Sequence, residues 1–356
     1  MNETVNLVSA NLSTSQPSVL VVGATGQLGG RATQLLVAAG HRVRALIRPG
    51  AQYQHLRNIP GLEFVEGDLR DYASLEKACE GISAVVATAT VVFPRGKYSF
   101  AQDEGIGYEN LVRAAKTSGV NHILFVSIAA PYLARYTDRV PTLRMKQFVE
   151  AIIVGSGLGY TILRSAPFMD DYFALIGSDI PLCGSPAATL LRPFWMSRVY
   201  TRITAKLIER WGVASVPGRI ARCHSFIALD DVAHFIRAAV ARGPLNRTLV
   251  IGGARAYSWN EIAQLYGRLL GRVVRALPTV PFALRTSMEL LRPLSSAASN
   301  QLGVLWVLSE NDIVVDPNEA LAEFNVSLTS PEIYLAEKIA ARGRPDQSSS
   351  SQSTNT

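Results

Sequence analysis

The stretch Val19-Leu20-Val21-Val22-Gly23-Ala24-Thr25-Gly26-Gln27-Leu28-Gly29 decides the fold. Four apolar residues run directly into a glycine-rich loop, and an apolar helical pattern follows the loop as far as Leu36. Such a loop between a strand and a helix lets backbone N–H groups approach a pyrophosphate, and the positive end of the helix dipole faces its charge. The GxxGxxG spacing in this context therefore predicts a dinucleotide-binding site rather than a structural turn alone.

The alternation of short apolar runs with helical patterns continues from Ser18 to Arg164. Each run has four to six residues and is almost wholly apolar, as expected for strands covered on both faces. The predicted strands are 18–22, 42–47, 62–66, 84–89, 123–127 and 160–164, and the predicted helices are 29–39, 74–79, 104–118 and 141–155. This order predicts an α/β fold with a doubly wound parallel Rossmann sheet.

Four segments follow from these patterns. Residues 1–17 and 343–356 are rich in Ser, Thr and Asn, which predicts a disordered lead-in and a disordered tail. Residues 18–166 are predicted to form the NAD(P)-binding Rossmann domain. Residues 167–342 are predicted to form a smaller, mainly helical substrate or lid region that is interleaved with the sheet. This region contains a strand-like stretch at 225–229, a strand at 248–251 and a helix at 258–270.

Composition excludes several classes of protein. The 356 residues are 48% hydrophobic and 18% charged, with a formal net charge of +7 and no basic-aromatic pattern typical of nucleic-acid binding. The three cysteines, Cys79, Cys183 and Cys223, lie far apart, so neither a disulfide framework nor a metal site is expected. No signal peptide and no membrane-spanning apolar run is expected. We therefore expect a cytoplasmic protein, with peripheral attachment to a membrane as the alternative.

The end of the second predicted strand bears on the choice of cofactor. NAD-binding units place an acid there to accept from the ribose 2′-hydroxyl. The stretch 41–48 has no acid and ends on Arg48, whose guanidinium suits a 2′-phosphate. NADP(H) is therefore favoured over NAD(H), the alternative for Arg48 being a solvated cation. Asp68 is placed to meet the adenine edge, and Thr88 and Ala89 let backbone pass close to the cofactor.

Several of these stretches together resemble the NmrA-like, atypical short-chain dehydrogenase/reductase superfamily. They are the glycine loop, Arg48, Glu66-Gly67-Asp68-Leu69, and the stretch from Lys146 through 156–164 to Phe168-Met169. Residues 226–233 and 257–262 extend the resemblance over about 18–338, and the pattern is similar to the branch of photosystem II assembly factors and a complex I accessory subunit. The resemblance implies cofactor contacts at Gly23, Thr25, Gly26, Gln27, Leu28, Gly29, Arg48, Asp68, Leu69, Thr88, Ala89, Lys146, Pro167 and Phe168.

The resemblance also raises a question about catalysis. Ordinary short-chain dehydrogenases use a Tyr-x-x-x-Lys pair, in which lysine binds the nicotinamide ribose and tyrosine donates the proton. Lys146 matches the lysine and Ser127 matches the catalytic serine, but Thr142 stands where the tyrosine would. A threonine hydroxyl has too high a pKa to replace a phenol.

Three interpretations of this departure stay open. Lys146 alone acts as the acid and base, as in the isoflavone-reductase-like members that this pattern resembles. Alternatively, a loop tyrosine supplies the proton, the candidates being Tyr132, Tyr136 and Tyr172. In the third interpretation Lys146 only binds ribose. Lys146, Ser127 and Tyr136 are the predicted catalytic residues.

A basic segment lies at 181–225, with seven cations and one acid, Glu209. Arg198, Arg202, Lys206 and Arg210 recur every four residues, beside an apolar stripe that ends on Trp211. Segment 190–211 is predicted to be a basic amphipathic helix that docks on an anionic membrane or a protein partner, or that packs on the body of the protein with a solvated basic edge. A further apolar stretch, 281–308, is a second candidate docking surface, and the favoured alternative for it is pocket lid or core.

The leading functional hypothesis is an NADPH-dependent reductase of a small apolar carbonyl, enone or quinone-like substrate. The alternative is a non-catalytic NADP(H)-binding scaffold, assembly factor or redox-sensing regulator that docks to a membrane complex. No nucleic-acid partner is expected.

Overall fold

Eleven strands lie in the described part of the chain. The computed structural model describes residues 17–90, 100, 104–185, 187–191, 202, 204 and 206–342. The strands are β1 (Ser18–Val22), β2 (Arg42–Ile47), β3 (Glu63–Glu66), β4 (Ala84–Ala87), β5 (His122–Ile128), β6 (Gly159–Ser165), β7 (Val213–Pro217), β8 (Cys223–His224), β9 (Arg247–Ile251), β10 (Tyr257–Ser258) and β11 (Arg275–Thr279).

Thirteen α-helices lie in the same residues. They are α1 (Gln27–Ala38), α2 (Gln54–Arg57), α3 (Tyr72–Cys79), α4 (Ile106–Thr117), α5 (Ala134–Thr137), α6 (Pro141–Gly155), α7 (Met169–Leu175), α8 (Leu229–Arg242), α9 (Trp259–Leu270), α10 (Pro281–Leu291), α11 (Ser296–Glu310), α12 (Asn318–Phe324) and α13 (Pro331–Arg342). Among the described residues, no helix has the length and apolar character needed to cross a membrane.

Seven parallel strands form the central sheet, in the order β3-β2-β1-β4-β5-β6-β9. One core cluster packs α1 and α8 on one face, and a second packs α3, α4 and α6 on the other. Both faces are covered, which is why β1 is wholly apolar and buried. The predicted doubly wound Rossmann sheet is confirmed. The strand order reverses between β1 and β4, and ligands bind beyond the carboxyl ends of the strands at such a point.

The C-terminal region returns to this sheet through β9, which pairs with β6. It is mainly helical but also contains a parallel pair, β7 with β11, that the sequence did not predict. The predicted strand at 225–229 is wrong. Ile227 makes only an isolated bridge to Phe168, and α8 already begins at Leu229, whose N–H donates to the buried carboxylate of Asp170 over 3.0 Å. The predicted disordered lead-in and tail lie outside the described residues, apart from Pro17.

Candidate functional site

The glycine loop packs tightly against the chain that follows β4. Gly23 has a φ of +97°, and the N–H of Gly26 donates to its carbonyl oxygen over 2.9 Å. A Cβ atom on Gly23 would lie 2.7 Å from the backbone nitrogen of Ala89, and one on Gly29 would overlap the carbonyl oxygen of Gly23. Both positions therefore require glycine.

The N-terminus of α1 presents donors that suit a phosphate. Its N-cap residue is Gly26, so no N-cap side chain accepts from the first N–H groups of the helix, and its first turn contains no acidic residue. The side chain of Gln27 is only 9% exposed, and its Nε2 has no partner among the described residues. Donors of this kind at a helix N-terminus fit a pyrophosphate. Thr25 lies in the same loop, whereas Leu28 packs against the core.

Thr88 supports this loop from β4. Its N–H and its Oγ1 both donate to the carbonyl oxygen of Val22, over 2.9 and 3.1 Å. The predicted cofactor contacts at 23–29, Thr88 and Ala89 therefore lie together at the carboxyl ends of β1 and β4.

Two cations lie near Asp68 at the edge of the sheet formed by β2 and β3. Arg70 donates to the Asp68 carboxylate from Nε and Nη2, over 2.9 and 2.8 Å. The hydrogen bond from Arg70 is the main cause that holds the pKa of Asp68 below its usual value, and the charge of Arg48 adds to the shift. Arg48 and Arg70 thus bring positive charge to the predicted ribose end of the site. The adjoining Leu69 accepts from Asn110 of α4 over 3.1 Å.

Lys146 is buried on the second turn of α6. Its Nζ donates to Thr90 Oγ1 over 2.7 Å and to the carbonyl oxygen of Val126 over 3.2 Å. It also lies 3.7 Å from a carboxylate oxygen of the buried Glu104. Burial lowers the pKa of the Lys146 ammonium below its usual value, although Glu104 and Glu150 offset part of the shift.

Ser127 belongs to a second polar group at the end of β5. Its Oγ lies 3.2 Å from the hydroxyl of Tyr132, which lies 3.3 Å from Oε1 of Glu150. Arg164 binds the same carboxylate through Nε at 3.1 Å and Nη2 at 2.5 Å. Burial raises the pKa of Tyr132 well above its usual value. The structure therefore brings Ser127 together with Tyr132 and Glu150, and Glu150 lies one turn of α6 after Lys146.

Pro167 and Phe168 carry the chain from β6 into the C-terminal region. The carbonyl oxygen of Pro167 accepts from the N–H of Ile227 over 3.1 Å, and Phe168 bridges to the same residue. The N–H of Tyr172 donates to the carbonyl oxygen of Phe168 over 3.0 Å, so Tyr172 lies one helical turn farther along α7.

Tyr172 lines an apolar cavity of about 150 Å³ in the C-terminal region. The other walls come from Leu175, Ile176, Ser215, Pro217, Trp259, Thr279, Leu284, Leu302 and Leu305. Trp259 is fully buried, and its Nε1 has no hydrogen-bond partner among the described residues. Burial raises the pKa of the Tyr172 phenol. The cavity therefore suits an apolar molecule with one hydrogen-bond acceptor.

The predicted basic amphipathic helix lies largely outside the described residues, and its described end departs from the prediction. Lys206 has a φ of +72°, which interrupts a regular helix, and Leu207–Trp211 forms a single π-helical turn. Lys206 instead forms an ion pair with Asp179 at 3.4 Å. The predicted stripe of cations therefore does not continue through Lys206 to Arg210. No group of side chains that suits a metal ion occurs in the described ranges.

Comparisons with known proteins agree with this geometry. A family profile described as NAD(P)H-binding matches residues 23–175. The photosystem II assembly factor Ycf39 of Synechocystis sp. is 29% identical over 275 residues, 76% of this chain and 73% of that protein. Ycf39 of Cyanophora paradoxa is 28% identical over 271 residues, 75% and 72% of the two chains.

Solved structures share the fold. The NADPH-dependent quinone oxidoreductase of Escherichia coli, in complex with NADPH, matches with a TM-score of 0.66 at 17% identity, over 90% of this chain and 99% of that one. Citrobacter sp. triphenylmethane reductase, in complex with NADP(H), matches with a TM-score of 0.64 at 20% identity, over the same 90% and 99%. Residues 23–175 therefore match an NAD(P)H-binding domain, and the chain as a whole is similar to proteins of the NmrA-like, atypical short-chain dehydrogenase/reductase superfamily near the Ycf39 branch.

Thr142 is hydrogen-bonded to the C-terminal region of the chain. The N–H of Thr142 donates to Oδ1 of Asn300 over 2.9 Å, and Nδ2 of Asn300 donates to Thr142 Oγ1 over 2.7 Å. The position that would hold a catalytic tyrosine therefore joins α6 to α11.

Tyr136 is not brought together with Lys146 and Ser127. Its buried hydroxyl donates to Glu310 Oε2 over 2.9 Å and accepts from Asn311 Nδ2 over 2.8 Å. Its ring packs edge-on against Trp306, with the ring centroids 5.0 Å apart. These contacts place Tyr136 in the packing at the end of α11, and its predicted catalytic role stays a prediction.

Sequence reasoning missed Arg70, Glu104 and Asn300. The contact between Arg70 and Asp68 could have been predicted from the sequence, because Arg70 lies only two residues after Asp68 and its side chain can reach that carboxylate. Glu104 and Asn300 had none, because only the packing of α4 and α11 on α6 brings them to Lys146 and Thr142.

Proposed function

We propose that the chain is an NADP(H)-dependent reductase of a small apolar carbonyl, enone or quinone-like compound, with Lys146 as its proton donor. The observation that carries the proposal is the buried Nζ of Lys146. It donates to Thr90 and Val126 at the carboxyl ends of the strands, where the glycine loop also lies. Burial moves the pKa of Lys146 downwards, towards neutrality, where a general acid works best. Burial moves the pKa of Tyr132 and Tyr172 the other way, which disfavours both as donors.

Cofactor choice follows from the charges near Asp68. Arg48 and Arg70 are the cations at this end of the site that suit a 2′-phosphate, and the end of β2 carries no acid to accept from a 2′-hydroxyl. When bound, NADPH supplies the hydride. Lys146 orients the nicotinamide ribose and gives a proton to the oxygen that becomes negative during reduction.

The cavity beside α7 supports the substrate class. It begins one helical turn from Phe168, a predicted cofactor contact, and its lining is largely apolar. A carbonyl or quinone oxygen would supply the acceptor that the buried indole N–H of Trp259 lacks.

A turnover assay with three variants tests the proposal. Quinones, enones and aldehydes are offered to the protein with NADPH, and loss of NADPH absorbance is followed. Lys146→Ala should lower kcat by about 10²-fold or more. Lys146→Arg should bind NADPH but also lose turnover, because an arginine does not release its proton. Lys77→Ala, which removes an exposed lysine on α3, is the matched control. Unchanged turnover in Lys146→Ala overturns the proposal.

The second candidate function is a non-catalytic scaffold that binds NADP(H) and serves in assembly. It is favoured by the engagement of Thr142 with Asn300 and by the similarity to proteins named as photosystem II assembly factors. NADPH binding without turnover of any compound in the panel would favour this candidate.

A further inference from the structure

A strip of exposed apolar side chains follows β11 into α10. Its members are Trp211, Val273, Leu277, Val280 and Phe282, which are 73, 74, 52, 61 and 75% exposed. We call it the β11 strip. Contiguous exposed apolar patches of this kind mark sites that bind a partner or a membrane.

Strand pairing places the two ends of this strip. In the parallel pair, Arg275 lies opposite Val213, and its N–H donates to the carbonyl oxygen of Gly212 over 2.8 Å. Trp211 and Val273 each precede their strand by two residues and therefore lie at the same end of the pair. From Val273 to Phe282 the strip extends for at most about 30 Å at ~3.3 Å per residue.

Burial separates the strip from the core. Immediately before β11 the side chain of Val274 is buried in the core of the C-terminal region, while Val273 beside it and Leu277 on β11 are exposed. On α10 the buried residues are Leu284 and Met288, which pack in the cluster around Trp306. The predicted lid or core at 281–308 is thus divided, because Phe282 at the start of α10 stays outside that cluster.

Positive charge accompanies the strip. Residues 271–288 contain Arg272, Arg275 and Arg285 and no acid. All three are exposed, and none pairs with a carboxylate within the described ranges. Arg272 donates to backbone carbonyl oxygens, including that of Arg210 over 3.2 Å, so its charge is not neutralised.

We propose that the β11 strip docks the protein on an anionic lipid bilayer. Aromatic and aliphatic side chains would enter the interface, and the arginines beside them would meet lipid phosphates. The charge favours a lipid surface over an apolar protein partner, because a stretch without acids is complementary to anionic headgroups. Apart from Trp211, the β11 strip lies outside the predicted docking segment at 190–211, and docking through it does not depend on catalysis.

Co-sedimentation with vesicles tests the proposal. The full chain should bind vesicles containing phosphatidylserine, bind pure phosphatidylcholine vesicles at least about tenfold less, and be released by salt. Phe282→Glu with Val273→Glu should abolish binding. Arg275→Gln with Arg285→Gln should weaken it about 25-fold, at about fivefold for each charge.

Control variants replace exposed apolar residues elsewhere on the surface. Val154→Glu on α6 and Ile333→Glu on α13 change side chains that are 50 and 53% exposed, and both should bind as the parent does. Thermal unfolding and NADPH titration show that each variant is folded. The proposal is overturned if the parent does not bind anionic vesicles, or if strip and control variants lose binding alike. It is also overturned if the strip variants retain vesicle binding and instead change the oligomeric state measured by light scattering.

Discussion

Replacing Gly29 by alanine tests the packing of the phosphate loop on α1. The new Cβ would overlap the carbonyl oxygen of Gly23 and lie 2.6 Å from its carbonyl carbon and 2.8 Å from Thr88 Oγ1. Carbon atoms in contact are separated by roughly 3.5 Å, so the loop must move by roughly 1 Å. Overpacking of this kind costs about 1–3 kcal/mol. If this free-energy cost applies only to the loop conformation that binds NADPH, the affinity for NADPH falls about 5- to 150-fold.

Gly30 supplies the matched control one residue farther along α1. A Cβ there would lie 3.3 Å from the carbonyl oxygen of Ala24 and 3.4 Å from Nε2 of His55, which a shift of a few tenths of an ångström relieves. Alanine also favours a helix over glycine by up to about 1 kcal/mol. Gly30→Ala should therefore keep NADPH affinity and unfold at the same or a slightly higher temperature.

Fluorescence titration with NADPH and thermal unfolding of both variants make the comparison. Tight binding by Gly29→Ala would refute the assignment of the loop as the phosphate site. An equal loss of affinity in both variants would show that any disturbance of α1 has this effect, and would refute the packing argument.

Three further predictions concern Arg48, Tyr136 and Asp68. Arg48→Ala should weaken NADPH binding by about 10- to 150-fold, the worth of a hydrogen bond to a charged group, and leave NADH binding within about twofold; equal losses for both cofactors in titrations would contradict the role of Arg48. Tyr136→Phe should lower the free energy of unfolding by about 1–3 kcal/mol, because Glu310 and Asn311 lose a buried partner, while kcat stays unchanged; a large loss of kcat at an unchanged Tm would restore the catalytic role. The lowered pKa of Asp68 means that its stabilising contribution is present above the unfolded pKa of about 3.9 and is lost as pH falls through the lower folded value. Asp68→Asn should therefore flatten this part of the acid dependence of Tm, and an unchanged profile would contradict the contribution.

The N-terminal half of the fold could be predicted because its central strands, such as β1 and β4, are buried on both faces. The bounds of β1 and β2 are those that their apolar runs predict. The pair of β7 and β11 could not be predicted, because β11 is half exposed and contains Arg275 and Pro278 within five residues. Its partner strand also lies some sixty residues earlier, and no local pattern joins the two.

The candidate site also has a part that could be predicted from the sequence and a part that could not. The glycine loop and the lysine of α6 belong to local motifs, so their positions follow from spacing. The surroundings of Lys146 do not, because Thr90 and Glu104 reach it only after β4, α4 and α6 have packed. The contacts of Tyr136 could not be predicted either, because its hydroxyl meets Glu310 and Asn311 only after α11 has packed.

The most decisive measurement is a crystal structure of the chain in complex with NADPH. The proposed function predicts the pyrophosphate at the N–H groups of Gly26 and Gln27 and the 2′-phosphate at Arg48. It also predicts Lys146 Nζ within roughly 3 Å of a hydroxyl of the nicotinamide ribose. A 2′-phosphate turned away from Arg48, with Lys146 out of reach of the cofactor, would contradict it.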